Sequence, residues 1–321
     1  MKETKQILDT LIIGSGPAGL TAAIYNSRAN LKTIVIAGNQ PGGQLTLTTL
    51  VDNYPGFPTG VGGLKLMMDM QQQVKNLGVE IKQGIVKEIK KISGKINGFE
   101  VGLESGEEIE TKSVIVATGA AVKWLGLPGE KELIGRGVSG CATCDGMFFR
   151  GKTVAVVGGG DTACEEADFL AKICQKVYLI HRRDELKASV TEQKKVLNNP
   201  KIEIWWNSEV KEFKGEEKLE EVRVVNNVTG EEKMLDLDGL FVAIGSQPAT
   251  RFLEGMVDLS PTGQVLVGGD ENWVTMTNVP GIFAGGDCVN NRHKQAIVAA
   301  GEGCRAALDA ENWIINSGNK N

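Results

Sequence analysis

The chain is short of the residues that most often announce an active site. Its 321 residues include two histidines, His181 and His293, and three tyrosines. No Ser-His-Asp constellation can be assembled around either histidine, so hydrolase chemistry has no support. No apolar run is long enough to cross a bilayer. The first residues, Met1 to Gln6, lead straight into a strand pattern broken only by Asp9, without the apolar core of a signal peptide; a cytoplasmic location is expected. A net charge of -5 argues against nucleic acid as a main partner. Six cysteines are too few for a disulfide scaffold in a chain of this length, which is instead long enough for two domains.

Four of those cysteines, Cys164, Cys174, Cys288 and Cys304, read as small buried or half-buried residues. The other two have redox spacing, in Cys141-Ala142-Thr143-Cys144-Asp145-Gly146. Half of a zinc site is the competing reading, but structural zinc takes four ligands and there is no second Cys-x-x-Cys. No metal is expected.

The dithiol lies between two glycine-rich turns, Gly14-Ser15-Gly16-Pro17-Ala18-Gly19 and Gly158-Gly159-Gly160-Asp161-Thr162-Ala163. Each follows a short apolar strand pattern, Leu11-Ile12-Ile13 or Val154 to Val157, and each precedes a helical stretch, to about Ala29 or from Thr162 to Lys172. Strand, glycine turn and helix in that order set a helix N-terminus against a pyrophosphate. One such turn is weak evidence; two at matching places in duplicated units are strong.

The duplication runs further. After the first turn come a strand from Leu31 to Ile36, loops around Pro41 and Asp52, and a helix from Gly63 to Asn76. Alternating segments at 85–92, 99–103 and 108–110 read as an antiparallel meander with turns at Ser93-Gly94 and Ser105-Gly106. The unit closes on a separate buried strand, Ser113 to Gly119. The second unit has a strand Val177–Ile180, a hairpin of 222–225 with 234–235, and a closing strand Leu240 to Gly245. A further strand, 279–287, and a helix from about Gln295 to Asn316 then return to the first unit. The expected fold is α/β: two Rossmann-like, three-layer dinucleotide-binding domains, each with a small antiparallel meander, the second inserted in the first. The expected boundaries are 1–120 with 249–321, and 121–248.

The end of the second strand of each unit discriminates between nucleotides. In the second unit it carries His181-Arg182-Arg183, with Lys187 a turn later, cations suited to a 2′-phosphate and hence to NADPH. A solvated basic patch is the bland alternative. The first unit has Ala37-Gly38-Asn39-Gln40 instead, lacking both that cluster and the acid of an NAD site. A flavin dinucleotide fits there chemically, because a dithiol does not readily take hydride from nicotinamide unaided.

With these motifs in view, the sequence closely resembles the low-molecular-weight, FAD-containing thioredoxin reductases. The resemblance rests on both glycine turns, Gly42-Gly43-Gln44-Leu45, Ala117-Thr118-Gly119, the Cys-Ala-Thr-Cys-Asp-Gly stretch, His181-Arg182-Arg183 and Gly285-Gly286-Asp287. It implies an FAD site made by residues 14–19, Gly43, Gln44, Leu45, Asn53, Val86, Ala117, Thr118, Gly119, Gly286, Asp287, Lys294, Gln295 and Ala296. Asp287 would lie near the ribityl chain, and Gln295 with Ala296 near the isoalloxazine. It implies an NADPH site from Gly158, Gly160, Asp161, Thr162, His181, Arg182, Arg183, Lys187, Ile244 and Gly245. Cys144 would be the sulfur nearest the flavin, Cys141 the one that exchanges with the substrate disulfide, and Asp145 the general acid–base. For that role Asp145 needs a pKa raised toward neutrality, as desolvation beside a flavin would provide; its alternative role is a helix N-cap or turn acceptor. The resemblance also implies a thioredoxin-type protein substrate, a homodimer, and a nucleotide domain that rotates about linkers near Gly119 and Gly245. Lys187 and Lys294 stand where the family has Arg, which keeps the charge and loses the planar fork. Two other readings of the scaffold are a dithiol oxidase, for which the basic cluster has no use, and a non-catalytic redox sensor.

Overall fold

A computed structural model describes residues 7–93, 97–269, 272–289 and 292–318 of the chain. The opening residues 1–6 and Gly94 of the expected Ser93-Gly94 turn lie outside the described residues. The chain divides into two units, Met1–Ala121 with Gln247–Asn321, and Val122–Ser246.

The first unit is built on a seven-stranded sheet. Its path runs Glu80–Lys82, Thr33–Ile36, Leu8–Ile13, Glu108–Val116, Gly98–Leu103 and Val86–Ile92, with Ile282–Ala284 also paired to Glu108–Val116. Leu8–Ile13 is parallel to both neighbours, and successive residues bury opposite faces. Ile12 packs with Leu20, Met67 and Ile115, whereas Leu11 and Ile13 pack with Phe99, Val114 and Val116. Both faces are covered, so the second half of the strand, Leu11-Ile12-Ile13, is wholly apolar.

The edge strand Glu80–Lys82 is not among those the sequence predicts, and a second strand differs from expectation. The third meander segment and the closing strand are a single element, Glu108–Val116. Its first half pairs antiparallel with Gly98–Leu103 and its second half pairs parallel with Ile282–Ala284. Thr111, which read as a gap between two segments, is fully buried and registers with both Leu8 and Phe99. The helices Pro17–Arg28, Gly63–Asn76 and Ala296–Gly318 belong to the same unit.

The second unit has a five-stranded parallel sheet in the order Ile202–Trp205, Lys176–Ile180, Thr153–Val157, Gly239–Val242, Val138–Ser139. Val156, Leu179 and Phe241 face the helix Asp161–Ile173 through Ala163, Ala167 and Leu170. Ala155, Val157, Ile180 and Leu240 face a three-stranded antiparallel meander, Ser208–Lys214, Glu221–Asn226 and Glu232–Asp236. Glu221–Asn226 and Glu232–Asp236 are the two that the sequence predicts, and Ser208–Lys214 is the third. The meander exists because the parallel sheet is apolar on both faces and has its helix on one.

In the first unit the last helix approaches the first without a side chain between them. A Cβ on Gly303 would lie 2.0 Å from the carbonyl oxygen of Ala18, whereas one on Gly301 would meet nothing within 4 Å. Gly303→Ala should therefore lower stability by about 1–3 kcal/mol through forced separation of the helices. Gly301→Ala should leave stability unchanged or raise it by up to about 1 kcal/mol. Urea midpoints of the two variants measure the difference.

Candidate active site

In the first unit the chain turns at Gly14, whose N–H donates to Ile36 O at 2.8 Å and whose φ is 114°. A Cβ there would lie 2.1 Å from the carbonyl oxygen of Ala117. The helix that follows has Gly16 as N-cap and Pro17 at its first position, and no side chain caps it. The space where a Gly16 side chain would stand is open. An uncapped helix end with its positive dipole, facing open space, fits the pyrophosphate of a dinucleotide. Ser15 ties down the next loop: its hydroxyl donates to Ala37 O and accepts from Gly42 N–H, both at 3.0 Å.

That loop carries Gly43, Gln44 and Leu45 in a short 3-10 helix, and the Gln44 amide donates to the carbonyl of Ala120. The Asn53 amide donates to Gln295 Oε1 at 3.2 Å, joining two expected flavin residues from opposite ends of the chain. Gly286 donates its N–H to Glu302 Oε2 at 2.6 Å and packs against Ala18. Burial pushes the Asp287 carboxyl up to about 6, partly offset by the Lys294 ammonium and reinforced by Glu302. Ala117 is buried, and Thr118 and Gly119 are half-buried. Val86 packs its side chain with Leu11 and Ile13 inside the apolar cluster.

The second unit repeats the device. A Cβ on Gly158 would lie 2.4 Å from Ala243 O; Gly160 is the N-cap, with no side-chain cap and open space around it. The expected NADPH residues divide here. His181 is 7% exposed; its ring packs against Gly159, and its Nε2 lies 2.8 Å from Glu185 O. Asp161 accepts the Ser189 N–H at 2.7 Å, and that bond holds its carboxyl below the usual range. Gly159 O accepts from the N–H groups of Lys187 and Ala188, at 2.7 and 3.2 Å. These bonds stitch the basic loop onto the glycine turn, while Thr162, Arg182, Arg183, Lys187, Ile244 and Gly245 are exposed.

Cys141 and Cys144 form a disulfide with Cα atoms 5.3 Å apart, and both are half-buried. Cys141 is the N-cap of the four-residue helix Ala142–Asp145, and its carbonyl accepts from the N–H groups of Cys144 and Asp145. The Ala142 N–H donates to Glu166 Oε1 at 3.3 Å. Asp145 makes no side-chain cap to the 3-10 turn Gly146–Phe149 that follows it. It accepts instead from the Ser139 hydroxyl, at 2.6 Å to Oδ2. Ser139 and Glu166 were not foreseen; neither belongs to a spaced motif, and only the fold brings them to the dithiol. Met147 and Phe148, just beyond, are exposed. Cys164, Cys174 and Cys288 are free thiols that burial pushes up to about 11, far from reactive. Among the described residues no group of three or more His, Cys, Asp or Glu could hold a metal ion, and no helix is long and apolar enough to cross a membrane.

Residues 8–303 match the Pyridine nucleotide-disulphide oxidoreductase family. A thioredoxin reductase of Mycolicibacterium smegmatis is 45% identical over 98% of this chain and 99% of its own length. The chain belongs to the thioredoxin reductases. Two solved structures of thioredoxin reductases align over nearly the whole chain. The one from Giardia duodenalis has a TM-score of 0.90 and 41% identity, covering 97% of this chain and 100% of its own. The one from Streptococcus pyogenes MGAS5005 has a TM-score of 0.89 and 37% identity, covering 98% and 100%. As a thioredoxin reductase the protein is an oxidoreductase that uses FAD and NADPH. The two open, uncapped helix ends fit two dinucleotides.

Asp287 gives a test of the first site that needs no turnover. Its folded-state pKa, about 6, lies above that of an unfolded aspartate. The folded protein therefore holds this proton more tightly, and stability must fall as pH rises from about 4 to 6. In FAD-stripped protein the loss should be about 2 kcal/mol between pH 4.5 and 7.5 beyond that of Asp287→Asn. Denaturant midpoints at the two pH values measure it; equal losses in both proteins would contradict the assignment.

Proposed function

We propose that the protein passes electrons from NADPH, through FAD on the first unit, to the Cys141–Cys144 disulfide and on to the disulfide of a thioredoxin-type protein. The observation that carries this reading is the half-buried disulfide with Asp145 beside it, in the same unit as an uncapped, basic-fringed glycine turn. FAD, when bound, supplies the conversion of a hydride into an electron pair that sulfur can accept.

The chain's own residues do the rest. Gly16 and the first turn of the helix Pro17–Arg28 would offer their N–H groups to the FAD pyrophosphate, with Asp287 near its ribityl chain and Lys294 near its flavin ring. Gly160 and the helix Asp161–Ile173 do the same for NADPH. Arg182, Arg183 and Lys187 bind its 2′-phosphate, while His181 acts from below by bracing the glycine turn. Cys144 is the sulfur reduced first. Cys141 exchanges with the partner disulfide, since a thiolate is the attacking species. Asp145 gives a proton to the departing sulfur. Gly119 and Gly245, with φ of 69° and 106°, are where rotation of the nucleotide unit would be absorbed. Leu47, Leu64 and Met68, exposed by 56%, 55% and 60% on neighbouring elements, support a homodimer joined through the first unit. The cytoplasm is the compartment that fits.

With an added thioredoxin, NADPH oxidation at 340 nm should be continuous, and Cys144→Ser should lower it by at least about 10³-fold, a loss of the order seen when a nucleophile is removed. The variant should remain yellow. A variant that keeps the rate would refute the role of the dithiol, and peroxide formed without any pyridine nucleotide would favour a dithiol oxidase.

A further inference from the structure

Ser139 ends the two-residue strand Val138–Ser139, held in parallel register with Leu240–Phe241, and is 5% exposed. Its single hydroxyl touches three groups of the redox motif. It donates to Asp145 Oδ2 at 2.6 Å and accepts the Cys141 N–H at 3.1 Å, and it has a second possible acceptor in Cys141 O at 3.4 Å. A hydroxyl has one proton to give. The shorter contact takes it when Asp145 is a carboxylate. When Asp145 is protonated, its own O–H can donate to Ser139 Oγ, and the serine hydrogen turns to the carbonyl of Cys141.

We propose that Ser139 is the positioning residue for Asp145. It holds the carboxyl group beside the sulfur pair in both protonation states and reverses its hydrogen bond as the proton leaves. The proposal rests on the reading of Asp145 as general acid. In the exchange step the Cys141 thiolate, reduced by the electron pair that NADPH supplies, bonds to one sulfur of the partner disulfide. The partner S–S bond breaks, and the departing sulfur takes the proton of Asp145. Asp145 is left as a carboxylate, and Ser139 donates to it as in this structure. The strand fixes Ser139 and the amide of Cys141 fixes its hydroxyl, so Asp145 is referred to the backbone of the cysteine it serves. Glu166, whose carboxylate takes the Ala142 N–H, also faces the motif from the adjoining helix.

The test uses the full-length, FAD-loaded enzyme with Ser139→Ala, Ser139→Thr and Asp145→Asn. Two NADPH-driven reactions are compared: reduction of an added thioredoxin, and reduction of ferricyanide, which draws on the flavin and bypasses the dithiol. Ser139→Ala should lower kcat for thioredoxin about tenfold, the worth of one hydrogen bond to a charged group. KM and the ferricyanide rate should hold within about twofold. Ser139→Thr, which keeps the hydroxyl, should return kcat to within about threefold of the parent. A full thioredoxin rate in Ser139→Ala overturns the proposal. So does an equal loss in Ala and Thr, or a parallel loss of ferricyanide rate, since either marks a packing role. If Asp145→Asn also keeps the full rate, the acid–base reading itself has failed; if Asp145→Asn is crippled while Ser139→Ala is not, only the role of Ser139 has.

Discussion

Each dinucleotide turn rests on a carbonyl oxygen standing where a side chain would have to be. Ala117 O presses on Gly14, and Ala243 O on Gly158, each from the end of the strand that closes its unit. That contact lets the chain leave one parallel strand and enter a helix at once. It also brings the helix end to the sheet's carboxyl edge with its first N–H groups unspent and no side-chain cap to spend them. An unsatisfied helix end is a liability in an ordinary protein, and here it fits an anion. The long apolar strands, the covering meanders and the close fit of Gly303 against Ala18 all serve to keep those two edges exposed and rigid.

The redox motif is held differently. Its helix is a single turn, too short to be stable alone, and the side-chain contacts that fasten it include Ser139 to Asp145, Ser139 to Cys141, and Glu166 to Ala142. Phe149, at the end of the same stretch, meets Phe241 edge-on with centroids 5.4 Å apart. The disulfide thus hangs from the parallel sheet of the second unit through strand, hydroxyl and aromatic ring. Burial keeps three of the four free cysteines, Cys164, Cys174 and Cys288, out of the chemistry.

Much of this was legible because the signals are local. Glycine turns, the Cys-x-x-Cys and the helix Gly63–Asn76 announce themselves within a dozen residues, and the repeat of strand, turn and helix named the fold. Two kinds of feature were not legible. The strand Ser208–Lys214 has a register shift between Val210 and Glu212, which sets Lys211 and Glu212 side by side in solvent and breaks the period of two. The join of the meander to the closing strand depends on Thr111, a polar residue buried by neighbours on both sides. In the site, His181 is expected at the strand end among the residues that bind NADPH, yet its ring points inward to Glu185 O and Gly159. Ser139 carried no signal, because its partner is six residues away across a strand-to-helix corner.

Anaerobic titration of the FAD-loaded protein with NADPH, followed by a count of free thiols in the unfolded chain, is the most direct measurement of the whole electron path. The account predicts that the flavin colour bleaches and that two thiols per chain appear beyond the four cysteines already free. Bleaching with no new thiols would contradict it, because the electrons would then stop at the flavin and the disulfide at 141 and 144 would be a structural bond.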